Sequence, residues 1–240
     1  MRAKYSEFII EGKRLTGEAL RSSWDIQYIC IAEEKADQLP FAAGTNGTQV
    51  YTLPEKEFAE ISTTEHSQGV IAVAAQKHFT HTDLNHSKSD SIMLALDAIA
   101  DPGNTGTIIR SADWFGADSV LLGEGCAELY NPKTVRSTMG SIFRVPAAEH
   151  VNLFATLQDL RKHGYAVYAA TTSDQPIGKR IRFAPKSVLL IGSESEGIRH
   201  ELLGIADHKI TIKKYGGGES LNAAMAASVA LALAREFAGN

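Results

Sequence analysis

The stretch GGGESLNAAMAASVALALAREF, residues 216–237, gives the clearest indication of the fold. Its three glycines, 216–218, can adopt positive φ and let a ligand approach the backbone closely. Ser220 or Asn222 is predicted to cap the helix that follows, because either side chain can accept a hydrogen bond from its free N–H groups. Residues 223–237 are rich in alanine, with seven in fifteen positions, and apolar nearly all round, which predicts a buried helix. The segment suits a polar ligand at the helix N-terminus, and the alternative is a hinge before a core helix.

The composition is that of an ordinary globular protein. A chain of 240 residues forms one large domain or two smaller ones, and its net charge of −4 argues against purely charge-driven binding to nucleic acid. Cys30 and Cys126 show neither disulfide nor zinc spacing, which fits a reducing compartment. No apolar run has the length of a signal peptide in residues 1–20 or of a membrane span elsewhere. A cytoplasmic protein without a membrane contact is therefore expected.

The first part of the chain predicts a small α/β unit followed by a polar linker. Residues 76–90 lack an apolar period and carry His78, His81 and His86 at a spacing that gives little reason to expect a metal site. We therefore divide the chain into an N-terminal domain with its linker, 1–86, and a second domain, 87–240. The elements predicted before the linker are helices at 2–21 and 54–62 and strands at 26–32, 49–53 and 70–75.

After the linker, short apolar runs alternate with helical patterns. Strands of this kind, joined by helices, form a parallel sheet covered on both faces, and such sheets bind ligands at the carboxyl ends of their strands. The predicted strands are 91–99, 119–122, 166–170, 188–191 and 209–212, and the predicted helices are 105–115, 132–139 and 152–163.

Three loops at the ends of predicted strands carry the polar residues. In the first loop, Asn104 is predicted to cap a helix that begins at Thr105, and Arg110 follows six residues later. Arg110 either serves the site or forms a surface ion pair with Asp113. The second loop is 192–197 and the third is the glycine loop. Neither the dinucleotide fingerprint nor a phosphate loop is present, so the usual nucleotide sites are not indicated.

Three segments, taken in order, resemble the three motifs of the SpoU/TrmH family of RNA ribose 2′-O-methyltransferases. They are DPGNTGTIIRSADWFGA, VLLIGSESEGI and ITIKKYGGGESLNAAMAASVALA. The resemblance implies a mainly parallel α/β sheet with a trefoil knot, S-adenosylmethionine as cofactor, RNA as substrate and a homodimer whose active site is completed across the interface. The N-terminal unit, ending in HSQGVIAVAA, resembles the ribosomal-protein-like RNA-recognition domain that many members carry.

The resemblance also implies roles for individual residues. Arginine stays protonated, so we expect Arg110 to hold a phosphate and to stabilise the developing oxyanion rather than to act as a base. No metal is needed for this chemistry. Residues 213–215, Lys-Lys-Tyr, depart from the Pro-Met turn of many members. The residues expected to bind the cofactor are Thr171, Gly192, Ile212 and Leu221, and those expected in the catalytic neighbourhood are Asn104, Arg110, Glu194, Ser220 and Asn222.

The sequence thus predicts an S-adenosylmethionine-dependent transfer of a methyl group to a ribose 2′-hydroxyl of structured RNA, with ribosomal RNA favoured by the extra domain. Transfer RNA is the alternative substrate. A catalytically silent RNA-binding homologue is a further alternative, although it would have lost the polar residues of the motifs. An oxidoreductase or a small-molecule methyltransferase would not need an RNA-recognition domain.

Overall fold

The computed structural model describes residues 5–38, 45, 47–80, 83, 88–172, 175–176 and 182–237. Two sheets follow one another along the chain. The first has four strands in the order β1-β4-β2-β3, in which β2 and β3 are parallel and the other pairs antiparallel. Its elements are β1 (Glu7–Glu11), α1 (Lys13–Arg21), β2 (Ile26–Ala32), β3 (Gln49–Leu53), α2 (Glu55–Ile61) and β4 (Val70–Ala75).

The predicted helix at 2–21 is wrong for residues 7–11, and residues 2–4 lie outside the described part of the chain. Residues Glu7–Glu11 form a strand, and only Lys13–Arg21 is helical. Phe8 and Ile10 point into the core because β1 pairs antiparallel with β4. The alternation that a strand requires is confined to five residues and continues directly into a helical pattern, so the two periods merge in the sequence. The strands predicted at 26–32, 49–53 and 70–75 are confirmed.

The second sheet has seven strands in the order β7-β6-β5-β10-β8-β11-β9, and all its pairs are parallel, as predicted. Strand β7 was not predicted, because its sequence AAEHV carries two polar residues. The elements are β5 (Ser91–Asp97), α3 (Pro102–Trp114), β6 (Ser119–Gly123), α4 (Pro132–Ser137), β7 (Ala147–Val151), α5 (Leu153–Lys162), β8 (Ala166–Thr171), β9 (Gln175–Pro176), β10 (Lys186–Gly192), α6 (His200–Ile205), β11 (His208–Thr211) and α7 (Ala223–Glu236).

Strands β5 and β10 lie at the middle of this sheet and are buried on both faces. Ile92, Leu94 and Leu96 pack with α3 and α7 in one core, whereas Met93 and Ala95 pack with α5 and α6 in the other. Alternate residues of a strand point to opposite faces, so one strand serves both cores. This packing on both faces fixes the carboxyl ends of β5 and β10, from which the loops leave.

Helices α3 and α7 run side by side in the same direction. Their starts are joined by Asn222 and Asn104, and their middles by the hydroxyls of Ser111 and Ser228, 2.7 Å apart. Near their ends, Nε of Arg235 donates to the carbonyl of Phe115 at 2.8 Å. The two N-termini therefore lie together at the carboxyl edge of the sheet.

The two sheet units contact each other through aromatic side chains. The ring of Tyr130 lies 4.7 Å from that of Phe8, and Trp24 packs edge-on against Phe143 at 5.5 Å. Tyr130 Oη also accepts the backbone N–H of Lys77 at 3.1 Å and donates to the carbonyl of the same residue. These contacts bury aromatic side chains of both units against each other. The two units are therefore packed together and are not joined by the linker alone.

Candidate active site

The three motif loops meet at the carboxyl edge of the second sheet. Gly192 at the end of β10 stands opposite Asp97 at the end of β5, and Thr211 stands opposite Thr171. The loops that leave these strands therefore emerge side by side, as expected for a parallel sheet.

A hydrogen-bond network joins one polar residue from each motif. Nδ2 of Asn104 donates to Oε1 of Glu194 at 2.7 Å, and Nδ2 of Asn222 donates to Oδ1 of Asn104 at 3.0 Å. The same Oε1 accepts the backbone N–H of Ala223 at 2.9 Å, at the positive end of α7. Three of the residues that the sequence analysis expects in the catalytic neighbourhood are thus brought together.

The caps of the two helices are only partly as predicted. Asn222 caps α7, because its Oδ1 accepts the backbone N–H groups of Ala224 and Met225, whereas Ser220 does not take this role. The prediction that Asn104 caps α3 is wrong: Asp101 is the N-cap, and its Oδ1 accepts the backbone N–H of Asn104 at 2.9 Å.

The amide of Asn104 is free for the network because Asp101 has taken over the cap. A hydrogen bond from Lys133 and another from the backbone of Asn104 hold the pKa of Asp101 below its usual range. Pro102, in the first turn, was the sequence signal for the earlier helix start.

Beside the network lies a cavity of about 920 Å³, within the size range of small-molecule sites. The four residues expected to bind the cofactor, Thr171, Gly192, Ile212 and Leu221, all line it. Glu194 and Ser220 line it too, so the cavity and the polar network share a wall. Asn104, Arg110 and Asn222 are not among its lining residues.

The turn after β10 is folded tightly onto Gly192. The backbone N–H of Gly197 donates to the carbonyl of Ser193 at 3.0 Å, and Gly197 has a φ of 71°. A Cβ on Gly192 would lie 2.2 Å from the carbonyl carbon of Gly197. Glycine is therefore required at position 192 for the close approach of two backbone segments.

The glycine loop differs from its prediction. None of the glycines at 216–218 has a positive φ, and a Cβ on any of them would meet no atom within 4 Å. Gly216 and Gly218 line the cavity. Residues 213–215, which depart from the family pattern, precede this loop. Among them, Nζ of Lys213 lies 4.8 Å from the centre of the Tyr215 ring.

Arg110 lies on the exposed side of α3, outside the network. Within the described part of the chain its guanidinium has no hydrogen bond or ion pair. The alternative that it pairs with Asp113 is wrong, because that carboxylate accepts Nη2 of Arg144 at 2.7 Å and Oγ of Ser141 at 2.8 Å. The pKa of Arg144 is raised by its hydrogen bond to Asp113.

Helix α7 is not buried all round. Ala227 and Ala230 are fully buried against the core, yet Met225 is 59% exposed and Val229 37% exposed. Leu221, 50% exposed, precedes them at the same spacing of four, and Trp114 of the neighbouring α3 is 84% exposed. We call these four residues the exposed apolar stripe; Trp114 follows Arg110 by four positions, about one turn, on α3.

Sequence reasoning missed Asp97, although it ends a buried strand at this edge. Its side chain is completely buried and accepts two hydrogen bonds from Arg199. The sequence does show a charged residue at the end of an apolar run. It does not show that the partner of this residue is Arg199, 102 positions later.

Two further expectations concern metals and membranes. Among the described residues, no group of three or more His, Cys, Asp or Glu side chains is arranged to hold a metal ion, and His81 and His86 lie outside them. In the same part of the chain, none of the helices has both the length and the apolar character to span a bilayer.

A parallel sheet with a ligand cavity at its carboxyl edge, beside a polar network, places the protein in the α/β class with a candidate ligand site at the usual edge of the sheet. Comparison with known proteins gives the family. Residues 91–232 match the model of the SpoU rRNA methylase family, and residues 1–72 match an MRM3-like substrate binding domain. The chain belongs to the SpoU family of RNA methyltransferases.

Individual relatives agree with this assignment over nearly the whole chain. The 23S rRNA (guanosine(2553)-2′-O)-methyltransferase RlmP of Bacillus subtilis is 35% identical over 95% of this chain and 88% of its own length. A TrmH-family protein from Porphyromonas gingivalis has a TM-score of 0.83 at 31% identity, covering 98% of this chain and 92% of that one. An AdoMet-bound rRNA methyltransferase from Sinorhizobium meliloti has a TM-score of 0.81 at 29% identity, covering 98% and 89%.

Proposed function

We propose that the protein transfers a methyl group from S-adenosylmethionine to a ribose 2′-hydroxyl of ribosomal RNA. The observation that carries the proposal is the hydrogen-bond network of Asn104, Glu194 and Asn222 at the edge of the cavity. It joins all three motifs, which a catalytically silent homologue would have no need to keep. The name of the RlmP relative supports ribosomal RNA over transfer RNA.

The cavity fits the cofactor on chemical grounds. Its walls combine apolar residues, such as Ile212 and Leu221, with the exposed backbone at Gly192 and the hydroxyl of Thr171. Apolar walls suit an adenine ring, and backbone groups suit its polar edge. When bound, S-adenosylmethionine supplies an electrophilic methyl group. We assign Thr171, Gly192, Ile212 and Leu221 to holding it.

The groups around Glu194 receive the ribose in this proposal. Oε1 of Glu194 is engaged by Asn104 and Ala223, whereas Oε2 has no protein partner among the described residues. Oε2 accepts the hydrogen bond of the 2′-hydroxyl and aims the oxygen, and Ser220 on the cavity wall contacts the same sugar. Orienting two reactants in this way is a large part of the catalytic effect.

Arg110 binds the phosphate beside the target ribose and stabilises negative charge on the attacking oxygen. A guanidinium that no carboxylate of the described residues neutralises is available for this role, and arginine binds phosphate through two parallel hydrogen bonds. The proton of the hydroxyl leaves to solvent. No metal ion takes part.

We further propose that the enzyme acts as a homodimer through the exposed apolar stripe. Contiguous apolar surface on a protein marks an interaction site more often than it marks bare surface. Trp114 of the stripe lies about one helical turn after Arg110 on α3, so a second copy seated there would bring the subunit interface close to this arginine. The N-terminal domain, residues 1–86, adds affinity for RNA, as its match to a substrate binding domain suggests. The free cysteines Cys30 and Cys126 accord with a cytoplasmic enzyme.

The test is a comparison of RNA classes. The protein is incubated with methyl-labelled S-adenosylmethionine and, in separate reactions, with unmodified ribosomal RNA and transfer RNA, with Asn104→Ala as control. Label in ribosomal RNA that depends on Asn104 is expected. Equal or greater labelling of transfer RNA would overturn the choice of substrate, and no labelling of either would overturn the function.

A further inference from the structure

The end of strand β5 holds a buried carboxylate that the reaction scheme does not use. The side chain of Asp97 is 0% exposed. Its Oδ2 accepts the backbone N–H of Arg199 at 2.8 Å, and its Oδ1 accepts Nε of the same residue at 2.7 Å. A buried carboxylate is unfavourable unless it is paired, and charge-assisted bonds of this length are strong. The carboxylate of Asp97 therefore holds both the main chain and the side chain of Arg199.

Asp97 in this way controls both ends of the turn that carries Glu194. The turn starts at Gly192, which stands opposite Asp97 in the pairing of β10 with β5. It closes where Gly197 bonds back to Ser193, and Arg199 follows two residues later. The same residue thus pairs in register with the last residue of the strand before the turn and holds Arg199, after the turn, by its carboxylate.

Asp97 also ends the strand that leads into the first motif. Four residues later, Asp101 caps α3, the helix that carries Asn104 and Arg110. The distance of 2.7 Å between Asn104 and Glu194 depends on how the loops that leave β5 and β10 are placed against each other. The bonds from Arg199 to Asp97 are a direct link between these two loops.

We propose that Asp97 is a positioning residue for methyl transfer, which acts through Arg199 to set Glu194 against Asn104. The inference rests on the proposed function for its kinetic consequence, but the placement of the turn can be measured without it. Asparagine at position 97 would keep the size and lose one acceptor, and glutamate would displace Arg199 by a methylene group. Neither reproduces the two bonds.

A second ion pair in the same domain provides a matched control. Arg161 donates to Asp207 through Nε at 3.1 Å and Nη2 at 2.7 Å, and the other carboxylate oxygen accepts the backbone N–H of Val167 at 2.9 Å. The arginines are similarly exposed, 44% for Arg161 and 40% for Arg199. The Arg161 pair lies at the amino edge of the sheet, away from the cavity.

The first measurement is hydrogen exchange of the full chain without cofactor or RNA, for Arg199→Ala, Arg199→Lys and Arg161→Ala. Arg199→Ala is expected to speed exchange about tenfold in residues 193–200 while β8 keeps its protection. The turn can open locally once the side chain of Arg199 no longer bonds to Asp97. Arg161→Ala should leave 193–200 unchanged. Faster exchange throughout the domain, or none in 193–200, would overturn the positioning role.

The second measurement is the single-turnover rate of methyl transfer at saturating RNA and S-adenosylmethionine. A displaced catalytic group lowers this rate roughly 10- to 100-fold, so Arg199→Ala should do so with both dissociation constants within about twofold of the wild type. Arg199→Lys, which keeps a cationic donor, should recover part of the loss. Asp97→Asn is expected to lower stability as well as rate, so the Arg199 variants decide.

The outcomes separate this proposal from the proposed function. A rate for Arg199→Ala within twofold of the wild type, or an equal loss in Arg161→Ala, contradicts positioning by Asp97. If the wild type transfers no methyl group to any RNA, the proposed function fails, and the exchange measurement still decides whether Asp97 and Arg199 fix the turn.

Discussion

Arg110 is the residue on which the reaction scheme places most weight. Its guanidinium is exposed on α3 with no ion pair to the described residues, and the nearby Asp113 is already engaged by Arg144. A surface arginine of this kind adds little to stability. Its removal should therefore affect the reaction and not the fold.

We expect Arg110→Ala to lower the single-turnover rate of RNA methylation by roughly 100-fold or more, the scale of a lost oxyanion donor. The dissociation constant of S-adenosylmethionine should stay unchanged, because Arg110 does not line the cavity. Arg110→Lys should recover little, since it lacks the planar pair of donors. Near-wild-type methylation by Arg110→Ala would remove this residue from the site.

For individual residues, the sequence motifs named side chains that the structure brings together, but they did not predict the hydrogen bonds between them. Asn104, Glu194 and Asn222 were named from the motifs, but their hydrogen bonds join positions 28 to 118 apart and have no local signal. The N-cap of α3 was assigned to Asn104 instead of Asp101 because both residue types cap helices well. Asp97 was overlooked because its partner is set by the packing of β5 against β10.

Among the elements, the strand-to-turn junction at Gly192 is a place where the neighbouring backbone requires glycine. Any side chain at this position meets the backbone of Gly197. We expect Gly192→Ala to displace the turn and to weaken binding of S-adenosylmethionine at least tenfold in calorimetry, because both segments line the cavity. Gly204→Ala is the matched control, since a Cβ on Gly204 meets no atom within 4 Å. Equal cofactor affinity in the two variants would contradict the assignment of this wall.

Helix α7 provides a test of the proposed dimer. Met225→Glu places a charge in the exposed apolar stripe and should shift the protein towards monomers in sedimentation analysis while its melting temperature stays near that of the wild type. Ala227→Trp, which changes a fully buried residue, should instead overpack the core and lower stability. If Met225→Glu sediments like the wild type, the stripe is not the interface.

The elements differ in how well the sequence predicted them, and periodicity explains the difference. The buried strands of the second sheet were predicted because continuous apolar runs are distinctive. Strand β7, with Glu149 and His150 in its run, and strand β1, merged with a helix, were not. The exposed side of α7 was missed because Met225 and Val229 look like core residues in an alanine-rich helix.

On the scale of the whole molecule, Glu11 contributes to the contact between the two units. Its buried carboxylate accepts hydrogen bonds from the hydroxyls of Ser62 at 2.6 Å and Thr64 at 2.8 Å, and it also accepts one from Thr63. Thr63 in turn accepts Nη1 of Arg136, on α4 of the second unit, at 2.6 Å. Burial raises the pKa of Glu11, but the hydrogen bonds from residues 62–64 outweigh it and bring the pKa below its ordinary value of 4.5.

This pKa predicts a pH dependence of stability. Because the folded-state pKa is depressed, the stabilisation is fully present above about pH 4.5 and is lost as the pH falls through the folded value. Glu11→Gln should therefore be less stable than the wild type in urea unfolding at neutral pH, and the difference should shrink in acid. Glu60→Gln, at an exposed position of α2, is the control. A difference that is independent of pH would contradict a role for the charged form.

The domain boundary at 86/87 and the trefoil knot stay predictions. The aromatic contacts of Tyr130 with Phe8 and Trp24 indicate that residues 1–86 and 87–240 share a core, so truncation at the linker would expose Tyr130. A sequence shows where a linker lies, but not which aromatic residues on either side will pack together.

The position of the transferred methyl group on the RNA distinguishes methylation of a ribose from methylation of a base. A methylated 2′-oxygen cannot attack the neighbouring phosphodiester, so it protects that bond from alkali. Ribosomal RNA labelled by the enzyme with methyl-labelled S-adenosylmethionine is hydrolysed in alkali and the products are separated. We predict that the label appears in an alkali-resistant dinucleotide and is absent from this product with Asn104→Ala. Label in mononucleotides would show methylation of a base and would contradict the account.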